Sequence, residues 1–479
     1  MSKFKRYERY KDSGVEWIGE IPEHWEIKKI KYISNITMGQ SPKSEECSLD
    51  ETGLPFLQGN AEFTSLHPIP KIYCNTANKF SKVNDILLSV RAPVGAMNIS
   101  DRVYGIGRGL CAITANKVQV RYLWYSMNVS LEELFIKSKG STFEAVTVTD
   151  VNNLLSILPP KNEQIAIANF LDQKTAEIDG LIADKEKLIE LLQEKRQAII
   201  TEAVTKGLNP NVRMKDSGIE WIGEIPEHWE VCGFTKYISS IIDYRGKTPE
   251  KVDEGVFLVT AKNIKNGRID YSLSQEYVKS EEYEQIMRRG LPEIGDVVFT
   301  TEAPLGEVAN VDRTDVAFAQ RVIKFRGKVE KLDNYYLKYW IMSHGFQHDL
   351  QSYATGSTAT GIKASKLSKL IILLPRLEEQ KAIVNFLDQK TAEIDDLIFD
   401  IYTQIQKLKE DIHEYFEREV KPHVPDAWID ETKTKIGYEI PFTRHFYKYQ
   451  PLRPSEEIMK EIRELEQSIL EKLKKVMGE

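Results

Sequence analysis

Cysteine is scarce in this chain. Its 479 residues contain four, Cys47, Cys74, Cys111 and Cys232, with no C-x-x-C pair and no histidine at zinc-finger spacing. That argues against a disulfide framework and against a cysteine-based zinc site. No apolar run approaches the ~18 residues a membrane span needs, and the opening MSKFKRYERYKDSG lacks a signal peptide's apolar stretch. The expected location is the cytoplasm, away from membranes. A strong excess of one charge is also missing: 65 Lys and Arg stand against 72 Asp and Glu, a net charge of -7. This speaks against a uniformly basic nucleic-acid coat and says nothing of local patches. With 41% hydrophobic and 29% charged residues the chain reads as globular and long enough for several domains.

Signatures of catalysis are absent as well. RGKTP at Arg245 resembles the end of a phosphate loop, but Ile241 stands where that loop needs glycine. GIGRG at Gly105 has the wrong spacing for a dinucleotide fold and is expected to be a turn. No N-P-P-[FY] or D-P-P-Y tetrapeptide occurs, and His344 and His348 enclose Gly-Phe-Gln without the glutamate of a zincin helix. No catalytic residue and no metal ligand is assigned.

What the chain does have is itself, twice. Lys11–Ile27 (KDSGVEWIGEIPEHWEI) returns as Lys215–Val231 with two differences, and Glu163–Ile182 (EQIAIANFLDQKTAEIDGLI) returns as Glu379–Ile398 with three. Between these motifs the halves share only fragments, such as NDILLSVRAPVGAMNISDR from Asn84 against GDVVFTTEAPLGEVANVDR from Gly295, and the GST triplets at Gly140 and Gly356. Near-identical frames around divergent interiors imply one scaffold, copied, that meets a common partner. Trp17, Trp25, Trp221 and Trp229, with His24 and His228, lie in the first motif and are expected to anchor structure.

The second motif has helical periodicity. Leu171, Ile178, Leu181, Leu188, Leu192 and Ile199 form a 4-3 stripe, with Asn162 as the expected N-cap and Gly207 as the stop. The spacing predicts a helix of about 45 residues, roughly 65 Å at 1.5 Å per residue. Its twin starts near Glu378 and keeps the stripe through Ile394, Leu397, Ile401, Ile405, Leu408, Ile412 and Phe416. Phe170, Leu171, Ile178, Leu181, Leu188 and Leu192 are the expected seam of the first helix, and Phe386, Leu387, Ile394, Leu397, Ile401 and Leu408 that of the second. Two such stripes most simply close on each other as an antiparallel coiled coil. Gln164, Asp172, Lys174 and Glu177, repeated as Gln380, Asp388, Lys390 and Glu393, are expected to form a partner surface.

The interiors, about residues 28–160 and 232–376, carry short β-rich runs and brief helical stretches near Tyr122 and Tyr336, the pattern of α+β domains. Each has three more basic than acidic residues, so the rest of the chain carries -13. That weak partition fits bodies that approach phosphates while the scaffold does not.

Two variable bodies framed by W-I-G-E-I-P-E-H-W and E-Q-x-A-I-x-N-F-L-D-Q-K-T-A-E-I-D, each motif present twice in order, resemble the specificity subunits of type I restriction-modification systems over about residues 7–410. The resemblance implies an α+β fold with two similar target recognition domains, separated by a long antiparallel two-helix coiled coil. It divides the chain into a first recognition domain at 1–160, a central helix at 161–210, a second recognition domain at 211–376, a distal helix at 377–420 and an extension at 421–479. It implies a non-catalytic protein that recognises a bipartite, asymmetric site on double-stranded DNA and positions adenine methyltransferase subunits, normally two, and through the complex a restriction subunit. S-adenosylmethionine would be bound by the methyltransferase, not by this chain. From about Asp411 the tail looks instead like the C-terminal segment of the partner methyltransferase. It ends in a helix with Ile458, Ile462, Leu465, Ile469, Leu473 and Val476 on one face, which would dock on the coil and fill one methyltransferase position. A two-headed scaffold for protein or RNA is the alternative, and an enzyme with an unrecognised site a third.

DNA readout needs hydrogen-bonding side chains on loops or a helix that reach base edges and phosphates. The candidates in the first body are Gln40, Ser41, Lys43, Gln58, Asn60, Arg91, Arg108, Ser141 and Thr142. In the second they are Arg245, Lys247, Thr248, Lys262, Asn263, Gln320, Arg321, Ser357, Thr358, Thr360 and Lys363.

Overall fold

In a computed structural model the chain divides into two compact units, Met1–Glu177 and Ile178–Glu479. The structure describes residues 7–138, 146–408, 453 and 455–477, except 16, 44–46, 52, 245, 247, 248 and 356–359. Helices are numbered α1 (Val120–Ser138), α2 (Val148–Asn153), α3 (Lys161–Lys206), α4 (Tyr283–Ile286), α5 (Asn334–Met342), α6 (His344–Ser352), α7 (Leu377–Leu408) and α8 (Ser455–Met477). No helix among the described residues is long and apolar enough to cross a membrane.

In the first unit the leading motif folds as a hairpin, Tyr10–Asp12 against Glu20–Pro22. The next strand, Glu26–Lys29, pairs antiparallel with Leu155–Leu158, the last strand before α3, so that Ile27 faces Ile157. The body therefore leaves and rejoins the frame at one place. Its antiparallel sheet runs in the order Ser34–Met38, Leu110–Ala115, Ile86–Ser89, Met97–Ile99, and a second sheet pairs Gly105–Ile106 parallel to Leu54–Leu57. Apolar residues of the first sheet, Ile86, Leu88 and Ile113, pack on Leu123 and Met127 of α1.

The second unit repeats each step with different interior residues. The hairpin is Met214–Asp216 with Glu224–Pro226, and the closing pair is Glu230–Gly233 with Ile371–Leu374. The antiparallel sheet runs Ile238–Asp243, Val322–Gly327, Val297–Thr301, Leu305–Asn310, and a second sheet again holds one parallel pair, Val256–Val259 with Val316–Phe318. Phe234, Phe299, Phe325 and Trp340 are buried together, each contributing roughly 1.5–3 kcal/mol relative to exposure.

This second core holds a charge cluster with no counterpart among the described residues of the first. Asp296 and Lys324 are each 1% exposed and 2.8 Å apart, and Arg326 closes a two-pronged contact on the same carboxylate at 2.6 and 2.8 Å. The spare Lys324 proton goes to the Leu291 carbonyl at 2.9 Å. Burial pushes the Asp296 carboxyl up, but hydrogen bonds from Arg326 and Lys324 outweigh it and hold the group below the ordinary carboxylate range. Asp85 stands at the matching place in the first body and, among the described residues, its carboxylate accepts only a backbone N–H, that of Lys82, at 2.7 Å.

From Ile178 onward α3 lies antiparallel to α7: Lys185 meets Gln404 at 2.5 Å, and Arg196 meets Asp395 at 3.1 Å. Leu181, Leu188 and Leu192 of α3 are buried with Ile394 and Ile401 of α7 and with Ile458, Ile462 and Ile469 of α8, with Leu408 packed at the edge. Among the described residues the cluster thus has three helices. Ser468 and Lys472 meet Asp184 while Arg453, just before α8, meets Glu194, so α8 also runs antiparallel to α3.

Several expectations need correction. Asn162 is not the N-cap, because α3 already opens at Lys161 behind Pro159 and Pro160. Phe170, Phe386 and Leu397 are exposed rather than in the seam. Each Phe directly precedes a leucine, Leu171 or Leu387, and so points about 100° away from it, and Leu397, three residues past Ile394, falls on that same outer side. Leu387 itself is buried in the core of the second body and not in the expected helix cluster. Leu171 is half-buried, whereas its twin Leu387 is fully buried. Gln164 and Gln380 are buried and serve the fold itself. Gly207 does end α3, with φ +74° and so little room that a Cβ would lie 3.3 Å from the Trp229 ring.

Replacing Asp296 by alanine would leave Lys324 charged, buried and short of its partner. Chemical denaturation should show a loss of about 3–5 kcal/mol, and an unchanged midpoint would refute the role given to the cluster.

Candidate nucleic-acid interface

The two motifs meet in each unit and hold the body against the start of its long helix. In the first, Glu163 near the start of α3 accepts hydrogen bonds from Tyr7 Oη (2.7 Å), His24 Nε2 (2.9 Å) and Trp25 Nε1 (2.9 Å). In the second, Glu379 accepts from His228 Nε2 (2.8 Å) and Trp229 Nε1 (3.1 Å). Gln164 accepts from the Gln119 N–H and donates to the Pro159 carbonyl, both at 2.8 Å. Gln380 does the same with Asp333 and Pro375. Tyr122 and Tyr336 donate to the carbonyls of Ile157 and Leu373, at 2.8 and 2.9 Å. Tyr125 and Tyr339 donate to Asp172 and Asp388, at 2.8 and 2.6 Å. Arg121 adds an ion pair to Asp172, at 2.9 Å from its Nε.

So the repeated polar residues mostly clamp the chain to itself. Of the residues expected to face a partner, only the Lys174–Glu177 and Lys390–Glu393 pairs, at 2.8 and 2.7 Å, have no described role in the clamp. Trp25 and Trp229 are clamp members, Trp221 is half-buried, and Trp17 is exposed.

The clamp leaves the far edges of the bodies to carry candidate contacts. In the first body Gln58 Nε2 donates to Ser41 Oγ at 2.7 Å, and the Arg108 N–H reaches the same oxygen at 3.2 Å. Gln40 donates its N–H to the Ile106 carbonyl, and the Val90 N–H, just before Arg91, reaches the Gly109 carbonyl, both at 2.9 Å. The fold thereby draws Gln40, Ser41, Gln58, Arg91 and Arg108 to one rim, with Lys43 exposed two residues beyond Ser41. Glycine is required there: a Cβ on Gly39 would sit 2.0 Å from the Gly107 carbonyl oxygen. Asn60 is half-buried, with its carbonyl accepting the Phe63 N–H in a turn. Ser141 and Thr142 lie outside the described residues.

In the second body the corresponding edge encloses an open cavity of about 440 Å³, lined by Glu302, Gln320, Arg321, Thr355 and Lys363 among others. Gln320 donates to the Gly246 carbonyl at 2.5 Å, and Arg321 lies 3.6 Å from Glu302. Arg321 has φ +74°, a left-handed backbone unusual for a side chain of its size. Thr360 and Lys262 are exposed. Asn263 needs correction: it is fully buried, its amide donating to Asp270 and Ser274 carbonyls and its Oδ1 accepting from Thr260, so it builds a turn. Arg245, Lys247, Thr248, Ser357 and Thr358 lie outside the described residues. Sequence reasoning missed Glu302 and Thr355. The signal for Glu302 was present, since aligning SVRAPVG with TTEAPLG sets it opposite Arg91.

All four cysteines are free, and no group of three or more His, Cys, Asp or Glu among the described residues could hold a metal.

The family model for the type I restriction modification DNA specificity domain matches this chain twice, over residues 22–191 and 238–407. The chain belongs to this family. It is similar to the MjaVIII specificity subunit of Methanocaldococcus jannaschii, 28% identical over 79% of this chain and 88% of that protein. It is also similar to the EcoBI specificity subunit of Escherichia coli, 21% identical over 81% and 83%. Among solved structures it resembles a chain from a study of complex assembly and conformational transition in the type I R-M system, with TM-score 0.60, 20% identity and coverage of 81% and 95%. A specificity subunit is the non-catalytic member of its complex and binds no cofactor, S-adenosylmethionine belonging to the methyltransferase. The chain is therefore a DNA specificity subunit and part of a type I complex.

Burial opposes ionisation of Glu163, but hydrogen bonds from Tyr7, His24 and Trp25 hold it below its ordinary 4.5. A depressed folded-state value means that its stabilisation is complete above about pH 4.5 and is lost as pH falls through the folded value. Glu163→Gln should therefore lower the melting temperature at pH 7, and the gap to the wild type should narrow in acid. A gap independent of pH would refute the carboxylate's role.

Proposed function

We propose that each body reads one half of a bipartite, asymmetric site on double-stranded DNA, with the two rims described above facing the duplex. The coil then positions adenine methyltransferase subunits and, through the complex, the restriction subunit. The observation that carries this reading is the contrast within one chain. The clamps are repeated almost residue for residue, while the rims they leave exposed differ in charge and shape, Arg91 and Arg108 in one body against Glu302, Gln320 and Arg321 in the other. Identical supports with unlike edges suit two readers of unlike half-sites. Arginine and glutamine suit guanine and adenine edges in the major groove, and a carboxylate suits the cytosine amino group.

The direct test is to assemble the chain with a type I methyltransferase subunit from the same source, supply S-adenosylmethionine and map adenine methylation over a genome-sized DNA. One bipartite motif is expected, and exchanging either body should change one half of it. Methylation without a shared motif would defeat the proposal. A sharper expectation concerns Arg321, whose backbone glycine would adopt more readily. Arg321→Gly should leave the melting temperature unchanged or slightly higher, yet weaken specific DNA binding by about 1–3 kcal/mol. Equal binding by the variant would remove Arg321 from the interface.

A further inference from the structure

The repeated helix motif makes an internal comparison possible, because residues 161–192 of α3 have equivalents 216 positions later on α7. Equivalent residues in equivalent surroundings should be equally buried. Leu181 is 0% exposed, but Leu397 is 49% exposed. Asp184 lies 2.5 Å from Lys472 and 3.2 Å from Ser468, whereas Asp400 is exposed and has no ion-pair partner among the described residues. At one of the three positions where the motif copies differ, α3 has Gly180, whose added Cβ would lie 4.0 Å from Lys472 Nζ, and α7 has the exposed Asp396. Among the described residues, the difference between the two faces is α8. It lays Ile458, Ile462 and Ile469 into the cluster that contains Leu181, and it sets Lys472 on Asp184.

We propose that α8 is a tethered occupant of one of two equivalent helix-docking faces. The other, around Leu397 and Asp400 on α7, is open to an amphipathic helix of α8's chemistry from a partner protein. Such a helix carries an apolar stripe at i, i+4, i+7 and i+11, as Ile458, Ile462, Leu465 and Ile469 do, followed by a lysine placed for Asp400. Beyond Asp400 the faces diverge, Gln404 replacing Leu188, so the open face is the weaker seat. Combined with the proposed function, on which only the partner's identity rests, this makes the chain an acceptor of one methyltransferase helix instead of two.

The test uses the full chain and, as probe, a synthetic peptide of the α8 sequence, residues 453–477, titrated by calorimetry. The expected result is one bound equivalent, lost or weakened at least tenfold by Leu397→Asp, a change at an exposed position. In a second full-length variant, Ile462→Asp with Ile469→Asp, α8 is displaced and two equivalents should bind. No binding to the unmodified chain would overturn the proposal. So would one equivalent indifferent to Leu397→Asp, which would mean that the peptide merely exchanges with α8. DNA retention is measured on the same samples. Its loss with the expected peptide stoichiometry counts against the DNA-reading proposal alone, and the reverse outcome counts against the docking proposal alone.

Discussion

The rest of each unit depends on one constraint, the hydrogen-bonded seating of a body on the first turns of its own long helix. A glutamate and a glutamine next to one another in sequence do most of this. Glu163 and Glu379 draw in the imidazole and indole of the leading motif, while Gln164 and Gln380 bridge the turn before α3 or α7 to the start of a body helix. The Gln164 and Gln380 amides are buried, and a buried amide is costly unless satisfied, while Glu163 and Glu379 are half-buried beside them, so a clamp that forms incompletely is a liability. That is a physical reason for the two motifs to be repeated with so few differences while the segments between them diverge.

The interiors show how much freedom such a clamp leaves. Both bodies build a four-stranded antiparallel sheet, a second sheet with one parallel pair, and a helix carrying two tyrosines toward the clamp. Yet the second core surrounds its aspartate with Lys324 and Arg326, where the first satisfies Asp85 with a backbone N–H. Architecture is kept by strand order and by the closing pair, and chemistry inside it is free to change.

Much of this was legible in the sequence because it rests on periodicity and repetition. The helices, the stop at Gly207 and the two-body plan follow from the spacing of apolar residues and from the recurrence of two motifs. What was not legible depends on where a side chain points once packed. Phe170 and Leu171 are adjacent and equally apolar, and only the helical rotation between them sends one outward. Asn263 resembles a surface reader until the turn around it supplies a donor and acceptors for its whole amide. Gln164 looked like a partner residue because repetition alone does not separate a shared internal contact from a shared external one. The rims were half visible: Gln58 and Arg108 were chosen by residue type, whereas Glu302 emerges only when the two halves are brought into register.

The closing strand pairs, Glu26–Lys29 with Leu155–Leu158 and Glu230–Gly233 with Ile371–Leu374, have a consequence at the level of the gene. Because a body leaves and returns through one pair of strands, its coding segment is bounded on both sides by stretches that the other copy also encodes. Homologous exchange between those stretches would deliver a different body onto either helix with the glutamate, glutamine, histidine and tryptophan of the clamp still supplied. A lineage carrying this arrangement could acquire a new body by recombination, with the repeated helices that carry the bodies unchanged.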